Sequence, residues 1–190
     1  MVKALPLRLV GWKFEGEKPA VKKCVVLAFP HTSNWDGLLL VALTKSIGLE
    51  MSWMIKDDWF KGPMATVLRG VGAVPVDRKG AHNLVEQMVA EFAKHDSFTL
   101  VIPPEGTRRR SETWRSGFYH IARGANVAVV PGYLDYGRKR AGLGPPIDLT
   151  GDVKADMDRI RAFYATVNPQ GKVPEYVGPI ALRDETASPT

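Results

Sequence analysis

The chain is poor in cysteine. Cys24 is the only one in 190 residues. A lone thiol excludes an intrachain disulfide and a zinc site built from several cysteines, and it suits a reducing cytoplasm. Flanked by Val25 and Val26, Cys24 reads as an inert core thiol. No apolar run approaches the roughly 20 residues needed to cross a bilayer. The stretch from Met1 to Gly16 lacks a separate apolar core with a small-residue cleavage site, so it does not read as a secretory signal. Two common signatures are missing as well. Gly70-Val71-Gly72 precedes a strand pattern instead of joining a strand to a helix, so it is not a dinucleotide fingerprint. Ser116-Gly117 lacks the G-x-S-x-G elbow of serine hydrolases. Histidine is scarce, with four in the chain. His82, His95 and His120 show no metal-ligand spacing, which favours surface or packing roles and no metal.

What is present in excess is positive charge. The formal net charge of +6 favours an anionic partner: phosphate, a coenzyme, acidic lipid or nucleic acid, among which charge alone does not choose. The basic run Arg108 to Arg110 has no interleaved aromatics, which argues against a single-strand nucleic-acid groove, so no nucleic acid is expected. A 45% hydrophobic content in a chain of this length is enough for one domain with a proper core.

Apolar patterning divides the chain into alternating elements. Strands are expected at Val10–Phe14, Val25–Phe29, Ser52–Ile55, Ala73–Val76, Phe98–Ile102 and Val127–Val130. Helices are expected from Leu38 to Ile47 with Ser33 or Asn34 as cap, from Gly62-Pro63 to Leu68, along the Leu84, Met88, Phe92 stripe, and around Phe118 to Arg123. A further amphipathic helix covers about 152–167, with Asp152 as its cap. Such alternation gives an α/β fold, a single domain spanning 1–190 with a largely parallel central sheet flanked by helices. The tail 183–190 is polar.

In an open α/β sheet, ligands bind beyond the carboxyl ends of the strands. Four strand ends carry polar, Gly- or Pro-rich turns: His31 to Asp36, Asp77-Arg78, Glu105 to Arg110, and Gly132-Tyr133. His31 and Asp36 are five positions apart, about 140° out of phase on a straight helix. They meet only if His31 lies in the loop and Asp36 in the first helical turn. A carboxylate on one ring nitrogen would fix the tautomer and leave the other nitrogen to take a proton. The bland alternative is a loop histidine beside a helix cap. Arg78 suits a phosphate or a surface ion pair. Glu105, at the end of an apolar run, is either bonded to turn backbone or facing a ligand. Gly106 permits close backbone approach.

In combination these segments are more informative. His31-x4-Asp36, Gly72-Ala-Val-Pro-Val-Asp77-Arg78, Pro104-Glu-Gly-Thr-Arg108 and Val129-Val-Pro131 resemble, in order and spacing, the four blocks of the lysophosphatidic acid acyltransferase, or PlsC-like, family. The resemblance covers roughly residues 10–135. It implies that His31 is a general base, oriented and charge-stabilised by Asp36. It implies that Arg78, Glu105, Gly106, Thr107 and Arg108 line the acceptor site, and that Pro131 shapes the donor side. It further implies an acyl-CoA or acyl-carrier protein donor, a glycerolipid-type hydroxyl acceptor, no metal and no other cofactor. Pro30, Pro75, Pro103 and Arg109 depart from the residues usual at their places in the pattern. A thioesterase-like hydrolase on the same scaffold and a non-enzymatic binding module for anionic lipid or nucleic acid are the competing readings. The core begins within about a dozen residues, leaving no room in this sequence for the N-terminal membrane helices frequent in that family. A cytoplasmic protein is expected. Leu5, Leu7, Leu9 and Trp12, with Lys3, Arg8 and Lys13, form either an edge strand or a peripheral contact with an anionic membrane. The segment after the fourth block carries no motif.

Overall fold

A computed structural model describes residues 11–77, 81–183 and 185. Seven strands form one sheet: β1 (Lys13–Glu15), β2 (Lys23–Phe29), β3 (Ser52–Lys56), β4 (Ala73–Val76), β5 (Phe98–Ile102), β6 (Ala128–Asp135) and β7 (Arg140–Leu143). Their spatial order is β1-β7-β6-β2-β5-β3-β4. Every pairing is parallel except β6 with β7. The helices are α1 (Trp35–Ser46), α2 (Gly62–Gly70), α3 (Ala81–Lys94), α4 (Gly117–Gly124) and α5 (Val153–Val167). This is the α/β architecture that the alternating pattern implies.

The central strands are continuous apolar runs because both faces of the sheet are covered. All five residues of β5 and all eight of β6 are buried. One face packs Val25, Leu27, Leu100 and Val129 against Phe92, Phe118, Ile121 and Ile160. The other packs Cys24, Val26, Val101 and Val130 against Leu49 and Met51. Cys24 is completely buried, and burial pushes its thiol up to about 11, which keeps it unreactive. Asp156 is one of the wholly buried carboxylates. It accepts from Tyr119 Oη at 2.8 Å, Thr150 N at 2.9 Å and Gly151 N at 3.2 Å, tying α4 and the loop before α5 together. Asp152 caps α5 through a bond from Ala155 N at 3.0 Å.

Three expectations change. β6 does not stop at Val130 but runs through Pro131, Gly132 and Tyr133 to Asp135, so Gly132-Tyr133 is strand and not a strand-end turn. Pro131 lacks a ladder donor. The strand continues past it because Pro131 stands opposite Leu27 of β2 one residue before β7 begins to pair, at Gly132. The second change is β7, which was not expected from apolar patterning. It is four residues long and contains a glycine, and its pairing with β6 and β1 supplies what its own sequence does not. Third, the N-terminal strand is Lys13–Glu15, with Trp12 buried before it against Leu134, Ala141 and Tyr136. Leu5, Leu7 and Leu9 lie outside the described residues. Among the described residues, no helix is long and apolar enough to cross a membrane.

Candidate active site

β2, β5 and β6 run parallel, so their carboxyl ends emerge at one edge. β2 ends at the cis Phe29–Pro30 peptide, and His31 follows in the loop before α1. Asp36 is the second residue of α1, so imidazole and carboxylate meet as the loop turns back. His31 Nδ1 lies 3.2 Å from Asp36 Oδ2. The same oxygen accepts the backbone N–H groups of Thr32 and Ser33, both at 2.8 Å. Asp36 thus holds the two N–H groups just ahead of α1, while Ser33, one of the two expected caps, accepts from the first N–H of the helix. Asn34 makes no side-chain cap bond, and Ser33 Oγ reaches only Trp35 N, at 3.2 Å.

Asp36 is buried, with 4% of its surface exposed. Burial alone would raise its pKa, but bonds from His31, Tyr136, Ser33 and Thr32 outweigh burial and hold it below the usual carboxylate value. The His31 side chain keeps 25% of its surface exposed. Its Nε2 has no protein partner among the described residues.

Glu105 follows β5 in the Pro103-Pro104 turn. Its Oε1 accepts the His31 backbone N–H at 2.9 Å, so it braces the histidine loop from behind. Among the described residues its Oε2 has no partner. Burial raises its pKa to about 7, and the bond from His31 only partly offsets this. Gly106 takes φ +64°, and the Arg115 side chain packs where a Cβ would stand.

His31 and Asp36 line a cavity of about 1250 Å³ together with Gly106, Thr107 and Arg108. Its apolar walls come from Leu40, Val41, Met54, Val101, Ile102 and Phe118. Arg109 and Arg115 also line it, and neither they nor Arg108 make an ion pair among the described residues. Pro131 lies inside β6 and is not part of this cavity wall. Arg78 lies outside the described residues. Asp77 N donates to Gln87 Oε1 at 3.0 Å, anchoring the end of β4 on α3. The other histidines stand apart. His95 stacks on Phe98 and bonds Glu91, His120 is exposed on α4, and the His82 side chain lies outside the described residues. Among the described residues, no cluster of three or more potential metal ligands occurs.

Several residues at this site carry no motif. Tyr136, just past β6, donates to Asp36 Oδ1 at 2.7 Å. Thr32 is buried under the C-terminal segment, where Val173 N donates to its Oγ1 at 3.3 Å. Lys172 lies 5.1 Å above the Trp35 ring, and Tyr176 lines the cavity. The part of the chain without a motif therefore closes over the histidine loop. The turn residues around Asp135 and Gly137 hint at a hairpin, but nothing in the sequence signals which residue of it meets Asp36.

The site is thus an imidazole held by a carboxylate at the wall of a largely apolar cavity, at the carboxyl edge of an α/β sheet. A family model described as Acyltransferase matches residues 12–135, and the chain belongs to that family. Its fold is similar to the crystal structure of the 1-acyl-sn-glycerophosphate (LPA) acyltransferase PlsC from Thermotoga maritima. The TM-score is 0.56 at 16% identity, over 84% of this chain and 73% of that one. No curated protein sequence matches the chain at a significant level.

Proposed function

We propose that this protein transfers an acyl group from a thioester, carried on coenzyme A or acyl-carrier protein, to a hydroxyl of a glycerolipid-type acceptor. The observation that carries this reading is the His31–Asp36 contact at 3.2 Å in the wall of a large apolar cavity. With Nδ1 on the carboxylate, Nε2 accepts the proton of the acceptor hydroxyl. The oxygen attacks the thioester carbon. The tetrahedral intermediate then collapses, breaking the C–S bond, and the departing thiolate takes the proton back from the imidazolium. Asp36 stabilises that imidazolium without itself becoming protonated. General-base catalysis is typically worth roughly 10²–10⁴-fold, about 3–5 kcal/mol of barrier. Aliphatic walls suit an acyl chain. Arg108, Arg109 and Arg115, lacking carboxylate partners among the described residues, suit a phosphate on acceptor or donor. Trp35 and Leu38, 58% and 64% exposed, stand on α1 beside the cavity and suit peripheral contact with an anionic membrane that supplies the acceptor.

The test is thiol release from acyl-CoA across a panel of acceptors, wild type against His31→Ala. Acceptor-dependent release that falls at least 100-fold in the variant supports the reading. Unchanged turnover in His31→Ala refutes it. Release at full rate without any acceptor makes the protein a thioesterase instead.

A further inference from the structure

The two oxygens of Asp36 carry different loads. Oδ2 takes the imidazole and two backbone N–H groups. Among the described residues Oδ1 takes one bond, from the Tyr136 phenol at 2.7 Å. The terminal torsion of an aspartate, about Cβ–Cγ, is broad, so bonds to Oδ2 alone hold the carboxylate plane only softly. The phenol closes that freedom. Tyr136 is itself well fixed. Its ring meets Trp12 edge-on at 5.1 Å, and its backbone N–H donates to the Gln170 carbonyl at 2.9 Å. The turn beneath it is held by Asp135, wholly buried, which accepts from Arg138 N at 3.2 Å and also pairs with the Arg138 guanidinium.

We propose that Tyr136 is a positioning residue for the His31–Asp36 pair: its O–H fixes the plane of the carboxylate and draws charge from it. The role rests on the reading of His31 as general base. Strand order explains how a residue 100 positions away arrives there. β6 is the parallel neighbour of β2, so the residue leaving β6 and the loop leaving β2 emerge side by side. Burial and the neighbouring carboxylate both push the phenol well above its ordinary pKa, so it remains a donor throughout the working range. The other groups acting on Asp36 are His31, the Thr32 and Ser33 N–H groups, and the Glu105 carboxyl, whose charge the two acids feel mutually.

Tyr136→Phe removes the O–H and keeps the ring on Trp12. The direct readout is the titration of the Asp36 carboxyl by carbon NMR in the full chain, which needs no turnover. The midpoint moves upward in Tyr136→Phe, because a bond that stabilises the carboxylate is gone. It moves downward when 3-fluorotyrosine, a stronger donor, replaces Tyr136. In the kinetic assay Tyr136→Phe lowers kcat about tenfold with KM held within about twofold, and the acid limb of its pH–rate profile moves to higher pH. An Asp36 midpoint unmoved by both replacements overturns the proposal, whatever happens to the rate. Full turnover in His31→Ala, with the midpoint shifted as expected, overturns the general-base reading and the positioning role with it, through a different measurement.

Discussion

Glu105 sits behind His31 with one oxygen on backbone and the other without a partner among the described residues, and its charge has consequences for stability. Its pKa in the fold, about 7, lies above the unfolded value of 4.5. The protonated form is the one the interior accommodates. Its contribution to stability is therefore complete below about pH 4.5 and is lost as pH rises through about 7. Glu105→Gln keeps an acceptor for the His31 N–H and removes the charge. In denaturant titrations the variant matches the wild type near pH 5 and exceeds it at pH 8 by roughly 1–3 kcal/mol. A difference that is the same at both pH values contradicts this account. Asp36 behaves in the opposite sense. Its lowered pKa adds stability that is present above the unfolded value of 3.8 and lost as pH falls through the folded value. Asp36→Asn removes that acid-side dependence and also removes the charge opposite His31, with an expected loss of about 10²–10⁴ in kcat. Both carboxylates were visible in the sequence as candidates. His31 was visible as the partner of Asp36, but the partner of Glu105 was not, because a hydrogen bond from the backbone N–H of His31 to a residue 74 positions away leaves no trace in spacing.

At the scale of elements, strands β2, β4 and β5 and helices α3 and α5 follow directly from apolar periodicity and turn residues, since each buries a face its own sequence declares. β7 and the extension of β6 do not, since they depend on pairing between segments and not on local preference. The C-terminal segment after α5 is the larger surprise. It has no motif, yet it presses on the loop that carries His31. A Cβ at Gly171 would stand 2.7 Å from Thr32 Cγ2 and 2.9 Å from its Oγ1. Gly171→Val therefore displaces Thr32, the residue beside His31. The expected outcome is a fall in kcat of about tenfold or more with the helical circular dichroism spectrum retained. Wild-type kinetics in that variant would show that the contact does not govern the loop.

For the molecule as a whole, the net charge of +6 and the exposed Trp35 and Leu38 beside the cavity give a measurable expectation about surfaces. Co-sedimentation with vesicles containing anionic lipid falls as salt rises, since exposed charges more than about 8–10 Å apart are screened near physiological ionic strength. Trp35→Ala weakens the residue that persists at high salt. Binding that is indifferent to salt, to lipid charge and to Trp35 removes the membrane from the proposed function.

The sequence by itself determined the α/β class, most of the strands and helices, and a His31–Asp36 pair with an arginine-bearing turn at one edge. These are local properties, set by periodicity, by turn chemistry and by the order of short motifs along the chain. Only the tertiary structure decided that Glu105 braces the histidine from behind, that Tyr136 holds the far oxygen of Asp36, and that residues 170–176 close over the loop. Those contacts exist because a parallel sheet brings the ends of β2, β5 and β6 to a single edge, and that juxtaposition is a property of strand order, which the linear chain does not display.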